Sequence, residues 1–266
     1  MTIGVIGYRG KIGSLLVKRA DFVPVDIDVL KVENYKTRDF SNIDVFVNCA
    51  AISSIAACET DYQRAINVNF KGAMNLGDLL KKPVLYISTE QVFGEQGWFL
   101  PNEKREPNPL NSYGYTKLAG EGATINTGGK VIRLSRTVTM EDEDLARNLS
   151  DLYAGRSIEV PDFFYRNYTY REFAVTGIEY FARNFVSMPD IVHYASLDNV
   201  TYYDLVKMIA KRLGEKFPHI GRRTKFYENP PRPKKSGLVV SLAKKIGFPM
   251  YTVEDTVDML ARSING

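Results

Sequence analysis

The chain has 266 residues, 44% hydrophobic and 25% charged, with a net charge of +4, the profile of a globular protein that buries one large core or a core with a smaller lobe. That charge is too small and too scattered to mark a nucleic-acid binder, and no apolar run approaches the roughly 20 residues of a membrane helix. Two cysteines, Cys49 and Cys58, lack any Cys-x-x-Cys or Cys/His spacing, and His193 and His219 lie far from the other candidate groups, which argues against a disulfide scaffold or a metal site. The first residues run straight into a strand and a glycine turn, with no secretory pattern, so the expected setting is the reducing cytoplasm.

Thr2 to Ile6 is a short apolar strand followed by Gly7-Tyr8-Arg9-Gly10-Lys11-Ile12-Gly13 and a helical pattern from Ser14 to Ala20. Strand, glycine turn, helix is the setting in which the backbone approaches a pyrophosphate, so this turn reads as dinucleotide-binding, although its spacing is Gly-x-x-Gly-x-x-Gly. A second strand, Phe22 to Asp26, ends in an acid 19 residues beyond Gly7, the distance at which a carboxylate meets ribose hydroxyls. Asp26 thus leans toward NADH. Arg9, Lys11 and Arg38 could instead accept the 2′-phosphate of NADPH, and the preference stays open. Only 18 residues separate Asp26 from the next strand, Val45 to Asn48, and they include the turn Asp39-Phe40-Ser41-Asn42; a shortened or missing helix is expected on this flank.

Small residues follow the third strand in Asn48-Cys49-Ala50-Ala51-Ile52, where a cofactor would pack on a strand end. A helix opens at Thr60 or Asp61 and reaches about Leu80, carrying Asn67 and Asn69 as either props or exposed residues. Its apolar face could bury in the core or pair with its copy in a homodimer. Pro83 to Ile87 is a buried strand that delivers Ser88-Thr89-Glu90 at its C-terminal end, the edge at which open α/β sheets bind ligands. Glu95 to Leu110 reads as a loop. The next helix carries Tyr113 and Lys117, four apart and therefore on one face. An ammonium beside a phenol favours its ionisation, which would make Tyr113 a proton donor usable near neutral pH.

Val131 to Leu134 is a further strand. Beyond about Met140 the alternation weakens: Leu145 to Tyr153 helical, Ile158 to Val160 a strand, Asp162 to Tyr170 an aromatic loop, Arg171 to Phe185 helical, Ile191 to Tyr194 strand-like, and Thr201 to Leu213 an amphipathic helix capped by Thr201. Lys216 to Lys235 is basic and Pro-rich, a solvated linker or a phosphate-facing strap, and Ser241 to Ile246 and Val253 to Ile264 close the chain as helices. The fold class is α/β, a Rossmann-type doubly wound parallel sheet with a smaller C-terminal lobe. Residues 1–140 form the dinucleotide domain with 161–198 returning to it, and 141–160 with 199–266 form the substrate lobe.

Thr89 at a strand end, Tyr113 and Lys117 on the following helix and a glycine turn at the start make one constellation. It fits carbonyl reduction: a nicotinamide gives hydride to carbon, Thr89 and Tyr113 hydrogen-bond the oxygen, Tyr113 supplies the proton, and Lys117 holds the ribose and keeps the phenol acidic.

These motifs, together with Asp39-Phe40-Ser41, Asn67-Val68-Asn69, Ser88-Thr89-Glu90-Gln91-Val92-Phe93, the block Asn108 to Glu121 and Arg232-Pro233-Lys234-Lys235-Ser236-Gly237-Leu238, resemble the extended short-chain dehydrogenase/reductase superfamily, and within it the dTDP-4-dehydrorhamnose reductase family. The resemblance covers nearly the whole chain. It implies that Gly10, Lys11 and Ile12 contact the cofactor phosphates, Asp26 the ribose, Asp39 and Phe40 the adenine, and Ala50, Ala51 and Ile52 the nicotinamide half. It further implies a catalytic trio of Thr89, Tyr113 and Lys117 and reduction of the 4-keto group of a nucleotide-linked 6-deoxy sugar by NADPH or NADH. The departures fall on the substrate side: Glu90 where the family has Asp, Arg136 where it has a stacking Trp, and a poorly fitting loop around Arg166. Thr89, Glu90, Arg136 and Arg166 are the candidates for substrate contact. An epimerase or dehydratase of the same superfamily is the alternative, though Glu90-Gln91 lacks the Asp-Glu pair expected of a sugar dehydratase; a non-catalytic nucleotide-binding regulator is a third reading.

Overall fold

The computed structural model describes residues 1–95, 99–214, 219–224 and 229–265. Five strands, β1 (Ile3–Ile6), β2 (Phe22–Val25), β3 (Val45–Asn48), β4 (Val84–Thr89) and β5 (Lys130–Leu134), join the strand Ile191–Tyr194 in one six-stranded sheet. Its order is Ile191–Tyr194, β5, β4, β3, β1, β2, and every pairing is parallel. The helices in chain order are α1 (Gly13–Leu16), α2 (Glu33–Lys36), α3 (Ile55–Thr60), α4 (Tyr62–Ile66), α5 (Gly72–Leu80), α6 (Ser112–Asn126), α7 (Glu143–Tyr153), α8 (Arg171–Arg183), α9 (Tyr202–Leu213), α10 (Ser241–Lys245) and α11 (Val253–Asn265).

Strands β1, β3 and β4 are buried along their whole length, as near-continuous apolar runs in a sheet covered on both faces must be. Alternate residues face opposite layers. Val45, Val47, Leu85 and Ile87 pack with Ala174, Val175, Ile178 and Phe181 of α8 and with Phe248, whereas Phe46 and Val84 pack with Leu76 and Leu80 of α5, and Tyr86 with Ala73 and Ala123. A separate core gathers Leu145, Leu149 and Leu152 of α7, Ile158, Val160, Leu205, Val206 and Ile209 of α9, and Val257 and Leu260 of α11. Because β1 has β2 on one side and β3 on the other, a crevice opens at the C-terminal ends of β1 and β3, the place where such sheets bind ligands.

Several expected elements differ in detail. The helix foreseen over Ser14–Ala20 is the single turn α1, after which Lys18 N donates to Leu15 O (3.2 Å) and Arg19 N to Leu16 O (2.9 Å), the i to i−3 tightening of a chain turning toward β2. The 18-residue span before β3 holds only the turn α2, as its length requires. The helix expected from Thr60 starts earlier: Ser54 caps α3, accepting from Ala57 N at 3.2 Å, and Asp61 re-caps the chain, accepting from Arg64 N at 2.9 Å. Asn67–Lys71 is one wide turn between α4 and α5. Thr201 caps α9 in a reciprocal capping box with Asp204.

Part of the basic Pro-rich segment, residues 225–228, lies outside the described residues, as do 215–218. The remainder is built into the fold. Ile220–Arg223 pairs with the strand Ile158–Pro161, Asn111 Nδ2 donates to Pro231 O (3.1 Å), Tyr165 N donates to Lys234 O (2.7 Å), and Leu238 N donates to Asn167 Oδ1 (2.7 Å). No helix of the described residues is long and apolar enough to cross a membrane.

Candidate active site

At the end of β1 the chain turns on Gly7, whose φ of +73° suits glycine alone. A Cβ there would stand 2.6 Å from Ala50 N, and one at Gly13 would stand 2.5 Å from Gly7 O. Gly10 N donates to that same carbonyl at 3.0 Å. Side chains at Gly7 and Gly13 would collide with the chain's own backbone, so these glycines let the turn fold tightly against the segment that follows β3. With α1 only four residues long, a helix dipole contributes little here; the turn's own amide groups are what a phosphate would meet.

Around this cradle, Arg9 and Asp26, rivals for the ribose in the sequence, form an exposed ion pair at 3.2 Å, while Lys11 is exposed and Ile12 rests on the main core. Asp39 spends both carboxylate oxygens on Ser41 N (2.8 Å) and Ser41 Oγ (3.0 Å), which holds its carboxyl below the usual range. Phe40 meets the edge of Phe46 at 5.5 Å. Across the crevice Asn48 Oδ1 accepts from Ala50 N (3.0 Å) and Ala51 is exposed. Ile52 is clamped by Asn69, whose Oδ1 accepts from Ile52 N (2.9 Å) and whose Nδ2 donates to Ile52 O (3.1 Å).

The opposite wall is built by β4 and α6. Asn111 caps α6, its Oδ1 accepting from Gly114 N at 2.9 Å, and Glu59 accepts from Ser112 N (2.7 Å) and Ser112 Oγ (2.8 Å). Two glycines set the approach: a Cβ at Gly114 would strike Gln91 O, and one at Gly120 would strike the Tyr86 hydroxyl and Asn69 O. That closeness presses the Tyr113 and Lys117 face of α6 against the end of β4.

There Thr89 lies beside the half-buried Tyr113. Lys117 is 2% exposed, with Nζ 3.9 Å from the centre of the Tyr86 ring. Burial raises the Tyr113 phenol above its ordinary value, helped by Glu90 and Cys58 and opposed by Thr89. Burial also pulls Lys117 down to about 7, with Glu121, Cys49 and Cys58 working against it. The expectation that Lys117 makes the phenol acidic is therefore corrected. Desolvation outweighs the neighbouring charge, Tyr113 holds its proton, and the amine is poised near neutrality. The two thiols are likewise held protonated, Cys49 pushed up to about 12 and Cys58 to about 11 by burial.

Beside the trio sits a polar cluster. Glu90, 3% exposed, is raised above the usual carboxylate range by burial, against the pull of Arg166, Ser135, Gln91 and Arg136. Arg166, 7% exposed, lies over the Phe164 ring at 4.7 Å and brings Nε to 4.0 Å from Glu90 Oε1. Glu90 Oε2 and Arg166 Nε and Nη2 are buried without a hydrogen-bond partner; Ser135 lies beside the carboxyl but outside hydrogen-bond geometry. Arg136 stands nearer the rim, half exposed and 3.4 Å from Asp142.

The sequence reading passed over the support behind this site. Asn69, left open as prop or surface residue, is fully buried and also donates to Thr116 Oγ1 at 2.9 Å. His193, set apart from the other candidates, approaches Arg133 Nη1 to 3.3 Å, and Arg133 clasps Glu121, one turn beyond Lys117. A signal was present: an arginine inside the buried strand Val131-Ile132-Arg133-Leu134 demands an anionic partner.

A family model described as the RmlD substrate binding domain matches residues 1–264. A dTDP-4-dehydrorhamnose reductase of Mycolicibacterium smegmatis is 38% identical over 97 residues, covering 35% of this chain and 30% of that relative, so the match spans about a third of the relative's length. Among solved structures, a dTDP-4-dehydrorhamnose reductase of Clostridium acetobutylicum is 20% identical with a TM-score of 0.88 and full coverage of both chains. One from Bacillus anthracis in complex with NADP is also 20% identical at a TM-score of 0.88, covering 99% of this chain and 100% of that one. At these identities the structural likeness speaks for the fold, a Rossmann-type sheet with a separate core beside it. The match over residues 1–264 speaks for descent: the chain belongs to the RmlD substrate binding domain family.

Proposed function

We propose that this protein is an NAD(P)H-dependent reductase acting on the 4-keto group of a nucleotide-linked 6-deoxy sugar, in the cytoplasm. The observation that carries the reading is the convergence of Thr89, Tyr113 and Lys117 at the sheet edge that also presents the glycine cradle. Membership of the family and the printed activity of the M. smegmatis relative support it.

In this reading Gly7, Gly10, Lys11, Ile12 and Gly13 receive the cofactor phosphates, Asp26 and Arg9 its adenosine ribose or 2′-phosphate, Asp39 and Phe40 the adenine, and Ala50, Ala51 and Ile52 the nicotinamide half. When bound, the reduced nicotinamide supplies hydride to the carbonyl carbon. The protein handles the oxygen. Thr89 and Tyr113 hydrogen-bond it, and Tyr113 gives up its proton as the oxygen becomes alkoxide-like. A phenol that burial keeps neutral at rest has that proton available. What it becomes, a phenolate in a dry site, needs a positive charge beside it, and Lys117 in its ammonium form provides one. Glu90 and Arg166, with Arg136 at the rim, hold the sugar and its nucleotide: Glu90 Oε2 would accept from a sugar hydroxyl, and Arg166 Nε and Nη2, which have no hydrogen-bond partner in the protein, would donate to hydroxyl or phosphate oxygens.

The test is to follow reduced-nicotinamide absorbance while offering dTDP-linked 4-keto-6-deoxy sugars with NADH and with NADPH. Turnover with at least one combination is expected. Tight dinucleotide binding without turnover of any 4-keto sugar would leave the fold and remove the activity.

A further inference from the structure

Behind the trio lies a buried charge network that the proposed reaction does not itself use. Arg133 of β5 grips Glu121 of α6 with two prongs, Nε to Oε1 at 2.9 Å and Nη2 to Oε2 at 2.6 Å, and both side chains are only 3% exposed. Ser88 Oγ donates to the same Oε1. Arg133 also lies over the Phe93 ring at 5.0 Å and meets His193 Nε2 at 3.3 Å, while His193 N donates to Glu103 Oε1 at 3.0 Å. Burial pulls the His193 imidazole down to about 3, with Arg133 adding to the effect, so the ring is neutral and the charged members of the network are Arg133 and Glu121.

A buried ion pair is a poor stabiliser, because desolvating two ions roughly cancels their attraction and well-packed apolar residues do as well. Its placement is the informative part. Ser88 immediately precedes Thr89 on β4, and Glu121 lies one turn beyond Lys117 and two beyond Tyr113 on α6. The Ser88 to Glu121 bond therefore ties the strand end that carries one hydroxyl to the helix that carries the phenol and the amine.

We infer, on the strength of the reductase reading, that Glu121 is a positioning residue for the proton donor: clamped by Arg133 and Ser88, it fixes the register of α6 against β4 and supplies the counter-charge that keeps Lys117 an ammonium. Oε1 already accepts from Ser88 and Arg133 and Oε2 from Arg133, so Glu121 acts on Lys117 through its field, across the roughly 5–6 Å that separate Cβ atoms four apart on a helix. The other groups facing Lys117 are weaker or neutral: Cys49 after β3 and Cys58 of α3, both held as thiols, and Tyr86 of β4 and Tyr113 of α6, phenols raised by burial. Glu121 is the largest influence holding the amine up against desolvation.

The experiment compares the full chain with Glu121→Gln, which keeps size and hydrogen-bonding capacity but loses the charge. The pH dependence of acetic-anhydride labelling at Lys117, read by mass spectrometry, gives the amine's titration without turnover, and kcat/KM against pH gives its kinetic counterpart. The labelling midpoint and the high-pH limb of kcat/KM should both move down by about one unit, with NADPH binding within twofold of wild type. A labelling midpoint and kinetic profile that superimpose on wild type, with only the melting temperature lowered, would overturn the inference and leave the cluster a packing device. If Glu121→Gln does not fold, the double variant Glu121→Leu with Arg133→Met, which leaves no buried charge unpaired, must move the labelling midpoint in the same direction by a smaller amount, because the lost guanidinium partly offsets the lost carboxylate. A wild type that reduces no nucleotide-linked keto-sugar overturns the functional reading instead, while the labelling midpoint still decides the role of Glu121.

Discussion

The two walls of the site are finished to different degrees. On the proton-donor wall the polar groups have partners inside the protein: Asn69 is bonded to Ile52 and Thr116, Asn111 to Gly114 and Pro231, and Glu121 to Ser88 and Arg133. On the side beside it, past the end of β4, Glu90 Oε2 and Arg166 Nε and Nη2 are buried without a hydrogen-bond partner. Buried polar atoms without partners are costly, and each asks for an explanation. Under the proposed reading, the contrast teaches that the chemistry is assembled in advance by the fold, whereas recognition is left to be completed by what binds.

The largest expected effect breaks the contrast on its finished side. Tyr113→Phe removes one hydroxyl from a wall whose other bonds persist, so NAD(P)H affinity should hold within twofold while kcat falls about 10²- to 10⁴-fold, the usual worth of a positioned proton donor. Stopped-flow single turnover with an independent cofactor titration separates the two quantities. Undiminished turnover would show that the proton comes from elsewhere.

A smaller effect is expected on the unfinished side. Arg166→Met keeps much of the stem's packing over Phe164 and removes the charge that Glu90 faces at 4.0 Å. The apparent KM for the nucleotide sugar should rise about tenfold to a hundredfold, the range for losing a charged hydrogen-bond donor to a ligand. The variant should also be at least as hard to saturate at high pH, because Glu90, no longer drawn down by Arg166, ionises only at higher pH and then stands uncompensated. If kcat falls and KM does not move, Arg166 belongs with the chemistry and the two walls are not separate in role.

How much of this was readable beforehand follows from the range of the interactions. The sheet was legible because buried parallel strands are short apolar runs, and the strand Ile191–Tyr194 fell at its expected ends. The placement of Thr89 at a strand end and of Tyr113 and Lys117 on one helix was legible because each is a local feature. Position was legible where environment was not: the spacing of Tyr113 and Lys117 fixed their shared face, but the sign of each pKa shift depends on how much protein surrounds them, which Gly114 and Gly120 set by letting α6 close on β4 and Asn69. The Glu121, Arg133 and His193 network joins positions 12 and 60 apart in sequence; a buried arginine announces the need for an anion, but no local pattern says which one answers it. Arg166 and Glu90 meet for the same non-local reason.

The smallest effect sharpens the comparison by using a charge pair that neither wall buries. Arg9 and Asp26 pair at 3.2 Å with side chains 73% and 61% exposed, so the pair contributes at most about 1 kcal/mol to the fold. Asp26→Ala should leave the melting temperature nearly unchanged. The freed Arg9 then becomes available to a 2′-phosphate while the ribose hydroxyls lose an acceptor, so NADH should bind several-fold more weakly and NADPH no worse than to wild type, a ratio that fluorescence titration at fixed ionic strength reads directly. The difference should shrink in high salt, because an exposed guanidinium is screened, whereas the Arg166 effect on substrate should persist there. An Asp26→Ala variant that loses both dinucleotides equally would mean that the residue shapes the glycine cradle and does not select between cofactors.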